Sequence, residues 1–118
     1  MVFWADADRA RAWERLSPAE QEAAEEPLHA WYEANSAAGR IQSGEELAWP
    51  RDRITIAAAE GGPLVEHAPE SSPSVLSGVM AVEVESTEAA VEMARSWPDL
   101  RAPGDRIDLI PIRNYDET

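Results

Sequence analysis

The chain has no cysteine and only two histidines, and these two shortages exclude several kinds of chemistry. Without cysteine there is no disulfide bond, no thiol nucleophile and no cysteine-ligated zinc site, and this usage fits a cytoplasmic protein. Basic residues are also scarce, since 10 Lys and Arg stand against 23 Asp and Glu, for a net charge of −13. Because phosphate backbones and anionic membrane surfaces repel such a chain, we predict neither nucleic acid nor a membrane as its partner.

Long apolar runs are missing too. The apolar residues 1–5 are followed at once by Asp6 and Asp8, so this segment is too short for a signal peptide or a membrane span and is predicted to be the first strand. A chain of 118 residues fits one domain, residues 1–118, that is large enough to form a core without a disulfide or metal.

A first helix is predicted to begin near Pro18. Ser17 can cap it, Pro18 suits the first helical position, and Glu20 can complete a capping box. Apolar residues then recur at spacings of three and four until Gly39, which is a typical helix terminator. Pro27 lies inside this helix and is expected either to kink it or to split it in two.

Runs of β-branched and other apolar residues predict further strands at 40–44, 53–57, 79–84 and 107–112. The run at 79–84 is the densest of these and is predicted to be central. A second helix follows it, capped by Ser86 or Thr87 and ended by Pro98. Residues 66–77, which are rich in proline and serine, are predicted to be a loop.

This order of elements predicts an α+β, ferredoxin-like fold in which two helices cover one face of an antiparallel sheet. Apolar side chains such as Phe3, Met80 and Val82 are sufficient to make the other sheet face apolar. A second copy of the chain is the simplest way to bury such a face, so we predict a homodimer.

The sequence resembles a known family over almost its whole length, through short motifs. Residues 26–31, Glu-Pro-Leu-His-Ala-Trp, followed by Ala-Gly at 38–39, resemble the YCII-related family, whose members carry a helix histidine shortly before such a helix end and a strand. Residues 44–50, 61–65 and 76–78 are more similar to the DGPF-domain branch. The resemblance implies a ferredoxin-like domain that pairs into a dimeric α/β barrel.

The resemblance also implies a site. In YCII-type members the helix histidine is thought to pair with an aspartate just after the second strand, and one activity is the elimination of chloride from a chlorinated hydroxyquinol-type ring. His29 matches that histidine. The aspartate has no clear match, and its candidates here are Glu45, Glu46 and Asp52. His67 stands where the DGPF signature has its aspartate.

His29 can titrate near neutral pH, and together with a carboxylate it suits the removal of a proton next to a carbonyl or phenol. The first hypothesis is therefore a cofactor-free lyase, dehydratase or isomerase acting on a small aromatic or polyketide-like metabolite, with catalytic candidates His29, Glu45, Glu46 and Asp52. The second is a non-catalytic homodimer that binds a small molecule or assists a partner enzyme. In that case His29 pairs with Glu25, one turn earlier on the helix surface.

A flat, aromatic small molecule is the predicted ligand. Trp4 and Trp49 lie at the ends of predicted strands, where an aromatic ring can stack on them. The remaining candidates for ligand binding are Tyr32, His67 and Arg53, of which the arginine can orient a carboxylate or phenolate.

Neither a cofactor nor a metal is predicted. Gly61 and Gly62 have neither the spacing nor the following helix of a phosphate-binding loop. His29 and His67, with scattered acidic residues between them, do not have the spacing of metal ligands.

Overall fold

The computed structural model describes residues 1–48, 52–69 and 72–113 and has an α+β architecture. Its elements, in chain order, are β1 (Val2–Asp6), α1 (Ala7–Trp13), α2 (Pro18–Ala37), β2 (Ile41–Glu46), β3 (Asp52–Ala57), β4 (Leu64–Pro69), β5 (Ser74–Val82), α3 (Thr87–Arg95) and β6 (Arg106–Asp108). Within these described ranges, no helix is long and apolar enough to cross a membrane.

Four strands form one antiparallel sheet in the order β2-β5-β1-β6. β5 contains most of the 79–84 run and lies in the middle of the sheet, which confirms the prediction of a central strand. β3 and β4 form a separate two-stranded sheet that is inserted between β2 and β5 in the chain. This arrangement is compatible with a ferredoxin-like fold.

The main core lies between the sheet and the two longer helices. Its buried residues come from β1, β5, α2 and α3 and the chain start: Met1, Phe3, Trp31, Met80, Met93 and Ala94. The buried Trp31 indole Nε1 donates a hydrogen bond to Ser96 Oγ at 2.9 Å, so its polar atom is satisfied. Because α2 and α3 share this core with the inward side chains of β1, both cover the same face of the sheet. Phe3, Met80 and Val82 lie on this covered face, so the prediction that they line the other face was wrong.

Helix α2 has the boundaries that its end signals predict. Ser17 forms the capping box with Glu20, and Gly39 takes a positive φ of 73° just beyond the helix end. The helix is not split at Pro27, which is itself exposed, and its buried residues, Trp31 and Asn35, follow the proline. The lost backbone hydrogen bond is thus tolerated within a helix stabilised by tertiary packing.

Helix α1 was not predicted, so the domain has three helices rather than two in the described residues. Asp6 is its N-cap, since its carboxylate accepts hydrogen bonds from the backbone amides of Asp8 and Arg9. With seven residues, α1 is too short for a clear apolar period. Ala7 is buried beside Ala5 and Val75 in a second, smaller core cluster.

Two boundaries predicted from composition were wrong. Residues 66–77 are largely strand, because β4 extends to Pro69 through pairing with β3 and β5 begins at Ser74, which pairs with Asp6. The final strand is shorter than the predicted 107–112, since β6 ends at Asp108. Pairing between distant segments, which local composition does not encode, decides both boundaries.

A buried ion pair holds the sheet at the end where β1 stops. The Asp105 carboxylate is 1% exposed and accepts three hydrogen bonds from Arg9: Nε donates to Oδ2 at 2.9 Å and to Oδ1 at 3.1 Å, and Nη2 donates to Oδ1 at 2.7 Å. It also accepts from the backbone amides of Asp6 and Ala102. Burial alone raises the pKa of Asp105, but the hydrogen bonds from Arg9 and the backbone outweigh it, so the pKa is lowered.

Gly104 completes this cluster, which we call the Asp105 clamp and which comprises Asp6, Arg9, Gly104 and Asp105. A Cβ at Gly104 would lie 2.8 Å from Asp6 Cα and 3.0 Å from the carbonyl oxygen of Pro73, so glycine is required by close approach. Its amide donates to Asp6 Oδ2 at 3.1 Å.

Candidate functional site

His29 lies on the outer surface of α2. Its side chain is 71% exposed, and its Nε2 lies 3.9 Å from Glu25 Oε2, one helical turn earlier. Among the residues that the structure describes, no other carboxylate lies within ion-pair distance of His29. This is the geometry of a helix-surface ion pair, as in the second hypothesis.

Glu45 and Glu46 occupy the last two positions of β2, where both are exposed and face Val79 and Gly78 of β5 in register. The structure does not bring either carboxylate within ion-pair distance of His29. Asp52 is the first residue of β3, opposite Pro69, and its side chain lies outside the described residues.

Tyr32 belongs to an aromatic cluster on the helix side of the sheet. Its ring centroid lies 5.4 Å from that of Trp31 and 5.7 Å from that of Trp97, both in edge-to-face contact. Burial raises the pKa of the Tyr32 phenol, and the charges of Glu46 and Asp99 raise it further. The phenol therefore stays protonated well above neutral pH and is available as a hydrogen-bond donor.

Trp4 lies on the opposite face of the sheet, which we call the open face because none of the described helices covers it. Side chains alternate along β1, so Phe3 points into the core and Trp4 points away from it. Its indole Nε1 donates to Asp108 Oδ2 at 2.8 Å. The Arg106 guanidinium carbon lies 4.4 Å from the Trp4 ring centroid, so one ring face is already covered by a cation.

The remaining predicted ligand-binding residues lie on the β3–β4 hairpin or outside the described residues. His67 pairs with Ile54 across the hairpin, whereas Arg53 pairs with Ala68 and therefore lies on the other hairpin face. Trp49 falls outside the described residues. Tyr32, Trp4 and the hairpin residues thus occupy separate surfaces, and the single chain does not gather them into one site.

A cavity of about 120 Å³ lies elsewhere, between α1, α2 and the segment after α3. Its lining residues are Arg9, Ala12, Trp13, Leu16, Ala24, Asp99 and Arg101. The carboxylate of Asp99 pairs with both guanidiniums, at 3.6 Å from Arg9 and 2.8 Å from Arg101. None of the predicted site residues whose side chains the structure describes lines this cavity. Sequence reasoning missed it because α1 supplies much of its wall.

The described part of the chain also contains no group of three or more His, Asp or Glu side chains that is placed to hold a metal ion.

No protein-family model matches the chain, and no curated protein matches it either. The likeness to the YCII-related and DGPF-domain proteins therefore rests on the sequence motifs around His29, Gly44 and Gly61.

Proposed function

We propose that this protein is a non-catalytic homodimer that binds a small aromatic molecule or assists a partner enzyme. The observation that carries the proposal is the exposure of His29, with Glu25 as its ion-pair partner. A general base is expected to face a pocket, within reach of the proton that it removes. On the α2 surface, His29 instead has the geometry of a pair that contributes about 0.3–0.5 kcal/mol to helix stability.

The open face of the sheet supports the homodimer. Val2 and Val79 are neighbours across β1 and β5 on this face, and Val79 is exposed. Trp4 lies on the same face two residues along β1. A second copy that covered these side chains would produce the dimeric α/β barrel expected from the family resemblance.

Trp4 and Arg106 support an aromatic ligand at that interface. The stacked guanidinium and indole form a flat surface, and Asp108 Oδ2 lies 3.6 Å from Arg106 Nε and balances its charge, so the surface suits stacking of an aromatic ring that bears a hydroxyl group. A ligand held between two copies would contact this pair in each of them.

The test measures binding and turnover together, with benzoate, salicylate and catechol as probes. We expect binding to quench tryptophan fluorescence, Trp4→Leu to abolish that binding, and His29→Ala to leave it unchanged, with no turnover of any probe. Glu22→Ala, an exposed site on the same helix, is the matched control for His29→Ala.

The competing hypothesis is proton transfer by His29, which would require the second copy to bury His29 and to place a carboxylate beside it. Turnover of small aromatic substrates by the wild type, lost in His29→Ala and kept in Glu22→Ala, would replace the non-catalytic proposal with this one.

A further inference from the structure

The β3–β4 hairpin has one apolar face. Residues that pair across an antiparallel ladder share a face, and the register pairs Ile54 with His67 and Ile56 with Val65. These four residues form what we call the hairpin face: Ile54, Ile56, Val65 and His67. The opposite face carries the polar side chains of Arg53, Thr55 and Glu66, with Ala57 and Leu64 towards the turn.

The hairpin face is exposed in the single chain. Ile54 is 60% exposed and Ile56 is 68% exposed, and every described side chain between 53 and 67 is exposed. A two-stranded hairpin is at best marginally stable in water unless its apolar face packs against something else. The isolated chain therefore leaves the hairpin without the packing that would stabilise it.

The other end of the chain has a complementary feature. After β6 ends at Asp108, the chain continues with apolar residues that are not in a strand and are exposed: Leu109, Ile110 and Ile112. Ile110 is 63% exposed. We call residues 109–112 the C-terminal segment.

The two features leave the sheet at opposite ends. The hairpin is connected to the end where β2 stops at Glu46 and β5 starts at Ser74, which is also the end where β1 stops. The C-terminal segment follows Asp108, which pairs with Val2 at the start of β1. A two-fold axis perpendicular to the strands places the hairpin end of one copy beside the C-terminal-segment end of the other, so the two features can meet twice per dimer.

We propose that the hairpin is a dimerisation arm, whose face of Ile54, Ile56, Val65 and His67 packs against Leu109, Ile110 and Ile112 of a second copy. This inference rests on the proposed homodimer and adds a contact beyond the open face. The four residues of the hairpin face and the C-terminal segment carry no carboxylate, which lets two chains of net charge −13 approach there. Asp52, the next β3 residue on the same face, lies at the base of the hairpin beyond Ile54.

The exposed area of the chain supports a second copy as the occupant. The chain exposes 8598 Å², whereas a compact monomer of this size exposes about 6,300 Å². If a dimer buried this excess accessible area on both copies, the interface would fall in the range of about 2,000–5,000 Å² that is typical of permanent dimers.

The first test compares two substitutions that are adjacent in β3 but lie on opposite hairpin faces. We expect Ile56→Asp to weaken the dimer about 100-fold or more in sedimentation equilibrium, because it places a carboxylate in an apolar contact twice per dimer. Ala57→Asp should change the dissociation constant less than about threefold, since its side chain is exposed on the other hairpin face and pairs with the uncharged Leu64. Ile110→Asp, on the other side of the contact, should match Ile56→Asp.

The absence of cysteine allows a second test by cross-linking. A mixture of Ile56→Cys and Ile110→Cys chains, treated with a short bis-maleimide, should give covalent heterodimers. Ile56→Cys mixed with Glu22→Cys, which lies on the exposed side of α2, should give none. A cross-link within the monomeric Ile56→Cys/Ile110→Cys chain would show that the hairpin folds onto its own C-terminal segment and would overturn the proposal.

The outcomes separate this inference from the proposed function. A wild-type dimer that is weakened by Val79→Asp but not by Ile56→Asp would retain the open-face homodimer and overturn the arm. Loss of the dimer with Ile56→Asp but not with Ile110→Asp would overturn the pairing of these two surfaces. A wild-type monomer at all concentrations would overturn both the arm and the homodimer.

Discussion

The Asp105 clamp and the β3–β4 hairpin are joined to the same end of the sheet, yet they differ in how completely the chain satisfies them. In the clamp, Asp105 is 1% exposed and fully hydrogen-bonded within the chain, and Ser74 Oγ ties the start of β5 to the carbonyl oxygen of Gly104. In the hairpin, Ile54 and Ile56 remain exposed. The clamp therefore stabilises the single chain, whereas the hairpin requires a second chain to bury its apolar face.

Breaking the clamp should have the largest effect on the stability of the single chain. We expect Asp105→Ala to lower the free energy of unfolding by about 3 kcal/mol, because it leaves the partly buried Arg9 and several backbone amides without their acceptor. Urea unfolding at low protein concentration measures this loss. Asp8→Ala, at a side chain that is 95% exposed, is the control and should change stability by less than about 0.5 kcal/mol. Equal effects at both sites would contradict the clamp.

Shortening an apolar side chain should distinguish the core beside the clamp from the hairpin, because only the loss of stability in the hairpin should depend on protein concentration. Val75 is 1% exposed in the core beside the clamp, so Val75→Ala should cost about 2 kcal/mol at every protein concentration. Ile54→Ala should barely affect the monomer and should lower the melting temperature only where the dimer is populated. Calorimetry across a wide concentration range makes this comparison. A concentration-independent loss for Ile54→Ala would mean that the hairpin packs within its own chain.

Acid should lower the free energy of unfolding through the clamp by less than the substitutions above. The pKa of Asp105 is lowered from its ordinary value of 3.8, so the folded state holds this proton less tightly than the unfolded state. The resulting stability is present above that ordinary value and is lost as the pH falls through the lower, folded-state pKa. We expect Asp105→Asn to remove this part of the acid dependence when unfolding is measured from pH 5 to about pH 2. An unchanged pH profile would exclude Asp105 as its source.

Much of the fold could be predicted where local chemistry determines conformation. Ser17, Pro18 and Glu20 mark the start of α2, and Gly39 marks its end through a left-handed backbone that glycine adopts easily. Helix α1 was not predicted, because its seven residues are too few to show an apolar periodicity and a single capping residue, Asp6, is a weak signal. The strands within 66–77 escaped because their partners lie far away in the chain.

The candidate site was less predictable than the fold. Sequence spacing correctly allowed an ion pair between Glu25 and His29, since residues four apart share a helix face. It could not show that Trp4 and Tyr32 point to opposite sides of the sheet, or that Glu45 and Glu46 lie beyond ion-pair distance of His29. The roles of these residues in binding or catalysis stay predictions that the probes above test.

The sequence by itself determined the absence of thiol chemistry, the strong negative charge, the limits of α2 and the central strand, because each follows from residue type or from contacts a few positions apart. Only the tertiary structure decided that Arg9 meets Asp105, 96 residues away, and that the apolar pairs of the hairpin remain uncovered. Both depend on which distant segments come together, and that is a property of the packed sheet rather than of any local pattern.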